Sequence, residues 1–251
     1  MKNLLIGIFI LASSAISSTG WGQVRLSIAA GYGSYAMAEV RDHQTVYKSM
    51  PNAQTVSSFP ANWYYALTGE YYFTSRFCIG ISATYGSTSG KIDYGSYPGR
   101  LTDQLTIEHR IEYIAIGLPV GIKRLIANEK MGLQFGLQPT VFFGNLDWEW
   151  VNKFGVLVHY PYFTEEFKCL NIGLQPLIRL DKTVAQFQVF IQGGYNIDVY
   201  KSKLENKGID IQVHSSADAQ GHLTNPLTED AVHADFSGLR IEAGVAFVIG
   251  K

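Results

Sequence analysis

From Val24 onward the chain alternates apolar and polar residues in eight separate runs, near 24–37, 61–73, 77–88, 105–124, 131–146, 166–180, 185–200 and 236–250. A period of two puts successive side chains on opposite faces of a β-strand. Between 77 and 86, Phe77, Ile79, Ile81, Ala83 and Tyr85 make one apolar face, and Cys78, Gly80, Ser82, Thr84 and Gly86 a small, mostly polar one. A soluble sandwich also alternates, so the connections decide. Those at 74–76, 126–130 and 181–183 are tight, whereas those at 38–60, 89–104, 147–165 and 201–235 are long. This rhythm predicts an all-β fold, an eight-stranded antiparallel up-and-down transmembrane β-barrel with short periplasmic turns, long extracellular loops and both ends periplasmic. No helical period interrupts the pattern.

Parity assigns the faces. Ile114, Ile116, Leu118, Val120 and Ile122, then Phe187, Val189 and Ile191, then Leu239, Ile241, Val245 and Phe247 are expected to face lipid. Gln134, Gly136 and Gln138, Asn171, Gly173, Gln175 and Arg179, and Gln186, Gln188 and Gln192 fall on the other side. A solvated sandwich face carries many Lys and Glu. Small, neutral, hydrogen-bonding residues fit a narrow lumen, where every buried polar group needs a partner. Eight strands enclose only enough space for side chains to fill, so no solute-conducting pore is expected. Arg25 and Glu70 share lumen parity on neighbouring strands and are expected to pair, with Arg179 and Lys123 in the same layer. The run at 105–124 exceeds the ~9 to 11 residues needed to span. Glu108, His109, Arg110 and Glu112, polar on both faces, are placed on a part that protrudes into water.

Composition narrows the setting. Fifteen Tyr and fourteen Phe suit rings placed at membrane–water boundaries. A net charge of −1 with 16% charged residues leaves no basic footprint, so nucleic acid is excluded as a partner. Met1, Lys2 and Asn3 precede an apolar stretch at 4–12 and small residues ending in Gly20-Trp21-Gly22. That reads as a signal peptide over 1–22, cleaved on export to the outer membrane, with 23–251 as one barrel domain. The stretch is far shorter than the ~20 residues of a spanning helix. Cys78 and Cys169 lie at opposite ends of the barrel by strand position and are expected to be free thiols, since a disulfide needs Cα atoms under ~7 Å apart.

Along Ala115-Ile116-Gly117-Leu118-Pro119-Val120-Gly121-Ile122-Lys123-Arg124 the chain resembles the outer-membrane β-barrel domain family of Gram-negative bacteria that includes the PorT-like proteins. The family strand reads roughly Tyr-Leu-Glu-Ile-Pro-Leu-Leu-Leu-Lys-Tyr, so Pro119 and Lys123 match and Gly117 stands where Glu is frequent. Gly136-Leu137-Gln138-Pro139 and Gly244-Val245-Ala246-Phe247 are similar to later family strands. The resemblance implies an integral outer-membrane barrel. The family is functionally diverse, so no particular role follows.

Chemistry is sparse. No Gly-x-Ser-x-Gly elbow, P-loop or Cys-x-x-Cys occurs, and no helix follows Gly31-Tyr32-Gly33 to make it a nucleotide fingerprint. His43, His109, His159, His214, His222 and His233 fall in long loops or protruding strands and read as solvated. His214, His222 and His233 share a loop with Asp218, Glu229 and Asp230 but lack the close pair of a metal site. No catalytic residue, metal or cofactor is assigned. Trp148, Trp150, Tyr160 and Tyr162, with Phe163, form either a binding patch on the outer loops or a girdle with packed loop stems. The function expected is a non-enzymatic outer-membrane protein whose loops, above all 201–235, meet a surface ligand or envelope protein, with outer-membrane lipid around the barrel. An accessory subunit of a secretion or envelope-assembly complex and a lipid-modifying barrel enzyme are the alternatives.

Overall fold

The computed structural model describes residues 22–48, 53–94, 103–126, 131–154, 158–184, 187–207, 220–225 and 228–250. The signal segment expected over 1–22 lies outside them except for Gly22. The elements in chain order are β1 (Gln23–Gly33), α1 (Ala38–Lys48), β2 (Ala53–Ser58), β3 (Asn62–Tyr72), β4 (Phe77–Tyr94), β5 (Asp103–Gly117), β6 (Val120–Ile126), β7 (Met131–Phe154), β8 (Val158–Val184), β9 (Phe187–Lys201), β10 (Glu205–Asn206) and β11 (Gly238–Ile249).

β1 pairs antiparallel with β3 on one side and β11 on the other, and the path through β4, β5 with β6, β7, β8 and β9 closes the ring. β5 and β6 form one wall. The register on β4 is the same on either side of Leu118-Pro119, with Ser82 opposite Gly117 and Ile79 opposite Val120. Pro119 interrupts the ladder because it has no N–H to give, while its carbonyl still accepts the Gly80 amide at 2.8 Å. The chain is therefore an eight-stranded barrel. Closure leaves no unpaired edge in the ring, the condition for strands in lipid. Gly22 and Gly250 meet at the short-turn end.

The outer surface carries a continuous apolar band. Ile28, Leu67, Ile81, Ile114, Ile122, Phe135, Ile178, Ile191 and Ile241 all point outward and are exposed. Rings flank it, with Tyr32, Trp63, Tyr65, Tyr85 and Tyr195 toward the long-loop end and Phe73, Phe77, Phe187 and Phe247 toward the short turns. Tyr32 and Trp63 meet edge to face at 5.7 Å.

Past this girdle the polarity of the alternation inverts while the parity continues. On β4, β5, β7 and β8 the outward residues become Lys91, Asp93, Glu108, Arg110, Glu112, Asp147, Glu149, Glu166 and Lys168, and the inward ones become Ile92, Ile107, Ile111, Leu146, Trp148 and Phe167. A strand in lipid hides its polar side, and the same strand in water hides its apolar side. Two expected loops are corrected by this inversion. The span 147–165 is mostly strand, with only 155–157 between β7 and β8, and 89–104 shrinks to the connection 95–102. β8 has 27 residues, about 90 Å of extended chain at ~3.3 Å per residue, so much of it stands clear of the bilayer.

The expectation of no helix is also corrected. α1 follows Met37, which adopts a left-handed backbone with φ 43°. Val40, His43 and Gln44, spaced i, i+3 and i+4, form its buried face. The polar letters of Ala38–Lys48 hide so narrow a stripe that only tertiary packing stabilises it. Arg41 donates to the carbonyls of Tyr35 (3.1 Å) and Phe59 (3.2 Å), fastening both ends of the segment. β2 adds to the protruding part of β4, and β10 to that of β8.

Candidate functional site

Two buried assemblies are stacked along the barrel axis. The lower is a charge network in the lumen. Glu70 of β3 accepts from Arg25 of β1 at 3.1 Å, from Arg179 of β8 at 3.0 and 2.7 Å, and from Gln134 of β7 at 3.2 Å. Arg179 also donates to Gln192 at 2.8 Å, and both guanidiniums lie over the Phe190 ring, at 4.9 Å for Arg25 and 4.8 Å for Arg179. Lys123 makes its own pair, with Asp181 at 2.8 Å, and is not bonded to Glu70. Of the charges expected in this layer, Arg25, Glu70 and Arg179 come together, and Lys123 stands beside them with a partner unnamed from sequence. Cys78 lies in the same region, its sulfur 3.3 Å from the Gln134 amide, while Cys169 sits in the upper core, and both are free thiols.

Above the network is a cavity of about 20 Å³ walled by Thr68, Ser82, Gln138, Thr140, Gln175 and Gln192. It has room for about one water and none for a solute. Its upper wall is Arg240, whose guanidinium is 5.4 or 5.5 Å from the ring centres of Tyr35, Tyr64, Tyr113 and Phe142. Arg240 donates to the Tyr113 hydroxyl at 2.7 Å. Such a cage holds a desolvated cation by ring electrostatics. Side chains and this one-water space occupy the lumen between the charge network and the Arg240 cage.

The upper assembly is a hydrophobic core outside the membrane band. Met37, Val40, Phe59, Ile92, Ile107, Ile111, Leu146, Trp148 and Phe167 pack with Leu204, Leu223, Val232, Ala234 and Phe236 from the last long connection. Each fully buried large side chain contributes about 1.5 to 3 kcal/mol, so these segments fold as a cap on the barrel mouth. Asp198 fastens it by accepting from Asn171 (2.8 Å), Asn196 (2.8 Å) and the Phe236 amide (2.7 Å). Lys201 pairs with Asp235, and the His233 amide and Nδ1 both lie 2.8 Å from the Glu39 carboxylate at the first turn of α1. The described parts of 201–235 are thus packed against the cap, while 208–219 and 226–227 lie outside the described residues.

Within the cap His43, His109 and Trp148 form one cluster. His109 stacks on Trp148 at 5.5 Å, and His43 meets both edge to face at 5.4 and 5.2 Å. Burial pushes His43 down to about 4, and burial with the neighbouring His43 holds His109 well below the ordinary range. The solvated reading of these two histidines is corrected: they are neutral core residues, hidden by α1. Trp148 is 1% exposed and packs as core, so it is no surface contact. Trp150, Tyr160 and Tyr162 lie on the β7–β8 hairpin, with side chains outside the described set, as is His214. Among the described residues no group of three or more His, Cys, Asp or Glu is placed to hold a metal. Outside the cap, burial and then the charges of Glu166 and Glu112 raise Asp147 above the usual carboxylate range.

Sequence reasoning missed Asp181, the Arg240 cage and the cap core. Arg240 and Glu242 were readable by parity, since Leu239 and Ile241 beside them face lipid.

No family model matches the chain, and no curated protein matches it. Among solved structures it is similar to the outer membrane protein OprG from Pseudomonas aeruginosa, with 9% identity, 92% of this chain and 97% of that one covered, and a TM-score of 0.49. It is also similar to a major outer membrane protein from Thermus thermophilus (13% identity, 90% and 99% covered, TM-score 0.46) and to Neisserial surface protein A (9%, 90% and 96%, 0.43). The closed ring and its apolar outer surface make the chain an outer-membrane-type β-barrel independently of these likenesses.

Proposed function

We propose that the chain is a non-enzymatic outer-membrane protein that presents its cap to the cell exterior as a recognition surface, with the signal segment 1–22 removed on export and both ends in the periplasm. The carrying observation is the second hydrophobic core beyond the apolar band, built on strands continuous with the barrel. Rigid extension of four walls into water costs conformational entropy that a mere anchor has no use for. A filled lumen speaks against conduction, so activity falls to the outer surface, where loops on rigid scaffolds usually recognise partners.

The test is a trimmed barrel. Gly86 faces Tyr113 and Gly144 faces Cys169 in register, so a two-residue turn joining each pair removes the protruding arms without shifting the walls. The trimmed protein is expected to insert and to fail to restore the surface phenotype of a deletion strain. Full restoration refutes the reading. A partner that co-purifies with the intact protein and not with the trimmed one makes it a subunit of an envelope complex.

A further inference from the structure

Among the described residues the rim at the short-turn end is electrically lopsided. Arg76 precedes β4, Arg124 lies on the outward face near the end of β6, and Lys182 on that of β8, and all three are exposed. None has an ion pair among the described residues. Among the described residues the acidic groups nearest this end, Glu70 and Asp181, are buried and already paired. The other described residues of the rim, Gln23, Phe73, Thr74, Ser75, Thr183, Val184 and Phe187, carry no charge, while Glu129 and Lys130 of the β6–β7 turn lie outside the described residues.

Register brings the three cations together. The Arg76 carbonyl accepts the Lys123 amide at 2.6 Å, placing Arg76 beside the strand end that holds Arg124. Arg124 faces Leu133 on β7, and Lys182 faces Met131 two residues below it. With ~4.8 Å between strands, the arc from β4 to β8 spans about 14 Å. Directly above it runs an unbroken outward row, Phe77 opposite Ile122, Ile122 opposite Phe135 and Phe135 opposite Ile178. Each of the four is more than half exposed.

We infer that Arg76, Arg124 and Lys182 form a binding surface for anionic phospholipid headgroups in the leaflet at the short-turn end, with the Phe77–Ile122–Phe135–Ile178 row receiving the acyl chains. Long cationic side chains at a bilayer boundary keep their charge in the headgroup layer and their stems on apolar surface. Cations at that depth attract anionic lipid, and the apolar row fixes the ligand as a lipid rather than a free anion. The opposite rim is unlike it: Lys91, Arg110 and Lys168 are paired there with Asp93, Glu112 and Glu205.

The inference rests on the membrane reading above, and the experiment separates the two. The full chain is placed in nanodiscs of phosphatidylcholine containing one fifth phosphatidylglycerol, released, and examined by native mass spectrometry for the lipids it retains. Each cation near an anionic surface gives roughly a fivefold preference before screening, so three partly screened ones should leave on the order of tenfold enrichment of phosphatidylglycerol. High salt should reduce it. The triple variant Arg76→Gln, Arg124→Gln, Lys182→Gln should retain both lipids alike, and Lys91→Gln, Arg110→Gln, Lys168→Gln should keep the enrichment. Equal retention by the unaltered protein, enrichment surviving in the first triple variant, or displacement by soluble glycerol phosphate overturns the inference. Failure to enter nanodiscs of either composition overturns the membrane reading instead.

Discussion

Replacing Glu70 with Ala removes the acceptor that four hydrogen bonds share and strands two guanidiniums. The Glu70 side chain has 0% exposure, Arg25 1% and Arg179 3%, so no solvent reaches the site to compensate. Breaking one buried pair by removing a partner costs about 3 to 5 kcal/mol. Arg179 keeps Gln192 and both arginines keep Phe190, so the loss should fall within that range rather than at twice its value. The exposed pair Arg110–Glu112 is the internal control, worth about 0 to 1 kcal/mol. Urea titration of protein folded in lipid vesicles, followed by the fraction that resists sample-buffer denaturation without heating, gives both midpoints. Glu70→Ala should lower the midpoint clearly, and Arg110→Ala should leave it close to that of the parent. Equal midpoints for Glu70→Ala and the parent would place the network in water and refute the filled lumen. Replacing Glu70, Arg25 and Arg179 together by Leu and Met should restore much of the loss, because the cost lies in the unpaired charges.

Acid should loosen the cap before it opens the barrel. His43 has its folded value pushed below its ordinary 6.5 to about 4, so opening binds protons between those limits. Cap stability is complete above that window and falls as the pH drops through it, by up to about 3 kcal/mol from this group alone. Hydrogen exchange of α1 amides should accelerate at pH 4.5 relative to pH 7 after correction for intrinsic rates, with barrel amides unaffected; an α1 unchanged at pH 4.5 would count against a neutral His43–His109–Trp148 cluster. Thiol labelling should find Cys78 and Cys169 unreactive in the folded protein and both reactive after denaturation without reductant. Fewer than two thiols would mean the strand registers are wrong. Gly31→Val should hinder folding, since even a β-carbon at Gly31 comes 2.3 Å from the Tyr64 ring, and normal yield in vesicles would contradict the packing between β1 and β3.

The barrel was legible from sequence because lipid enforces one rule on every wall, apolar residues outward at period two. Arg25 and Glu70 were paired from parity and neighbourhood alone, and they sit opposite each other in the β1–β3 register. The cap was less visible. Glu108 to Glu112 are legible as a strand protruding into water, whereas Trp148 keeps the parity of its strand with the apolar side facing inward, so a search for outward apolar residues reads 147–165 as loop. An inversion of polarity at constant parity is the signal that extends the protruding sheet from 105–124 to β4, β7 and β8. α1 left no comparable trace. His43 and Gln44 become core only because β5, β7 and β4 supply the surface that covers them, and Asp181 pairs with Lys123 only through a register that composition does not encode.

The chain crosses an outer membrane as a closed barrel whose lumen is packed with side chains. Electrophoresis of the outer-membrane fraction in mild detergent, unheated against boiled, reads out that closure, because a closed barrel stays compact until its ladder of backbone hydrogen bonds is broken by heat. The mature protein should be found in that fraction and should migrate faster unheated than boiled. Recovery in the soluble periplasm with a single mobility under both conditions would show that the chain is not a membrane-spanning barrel.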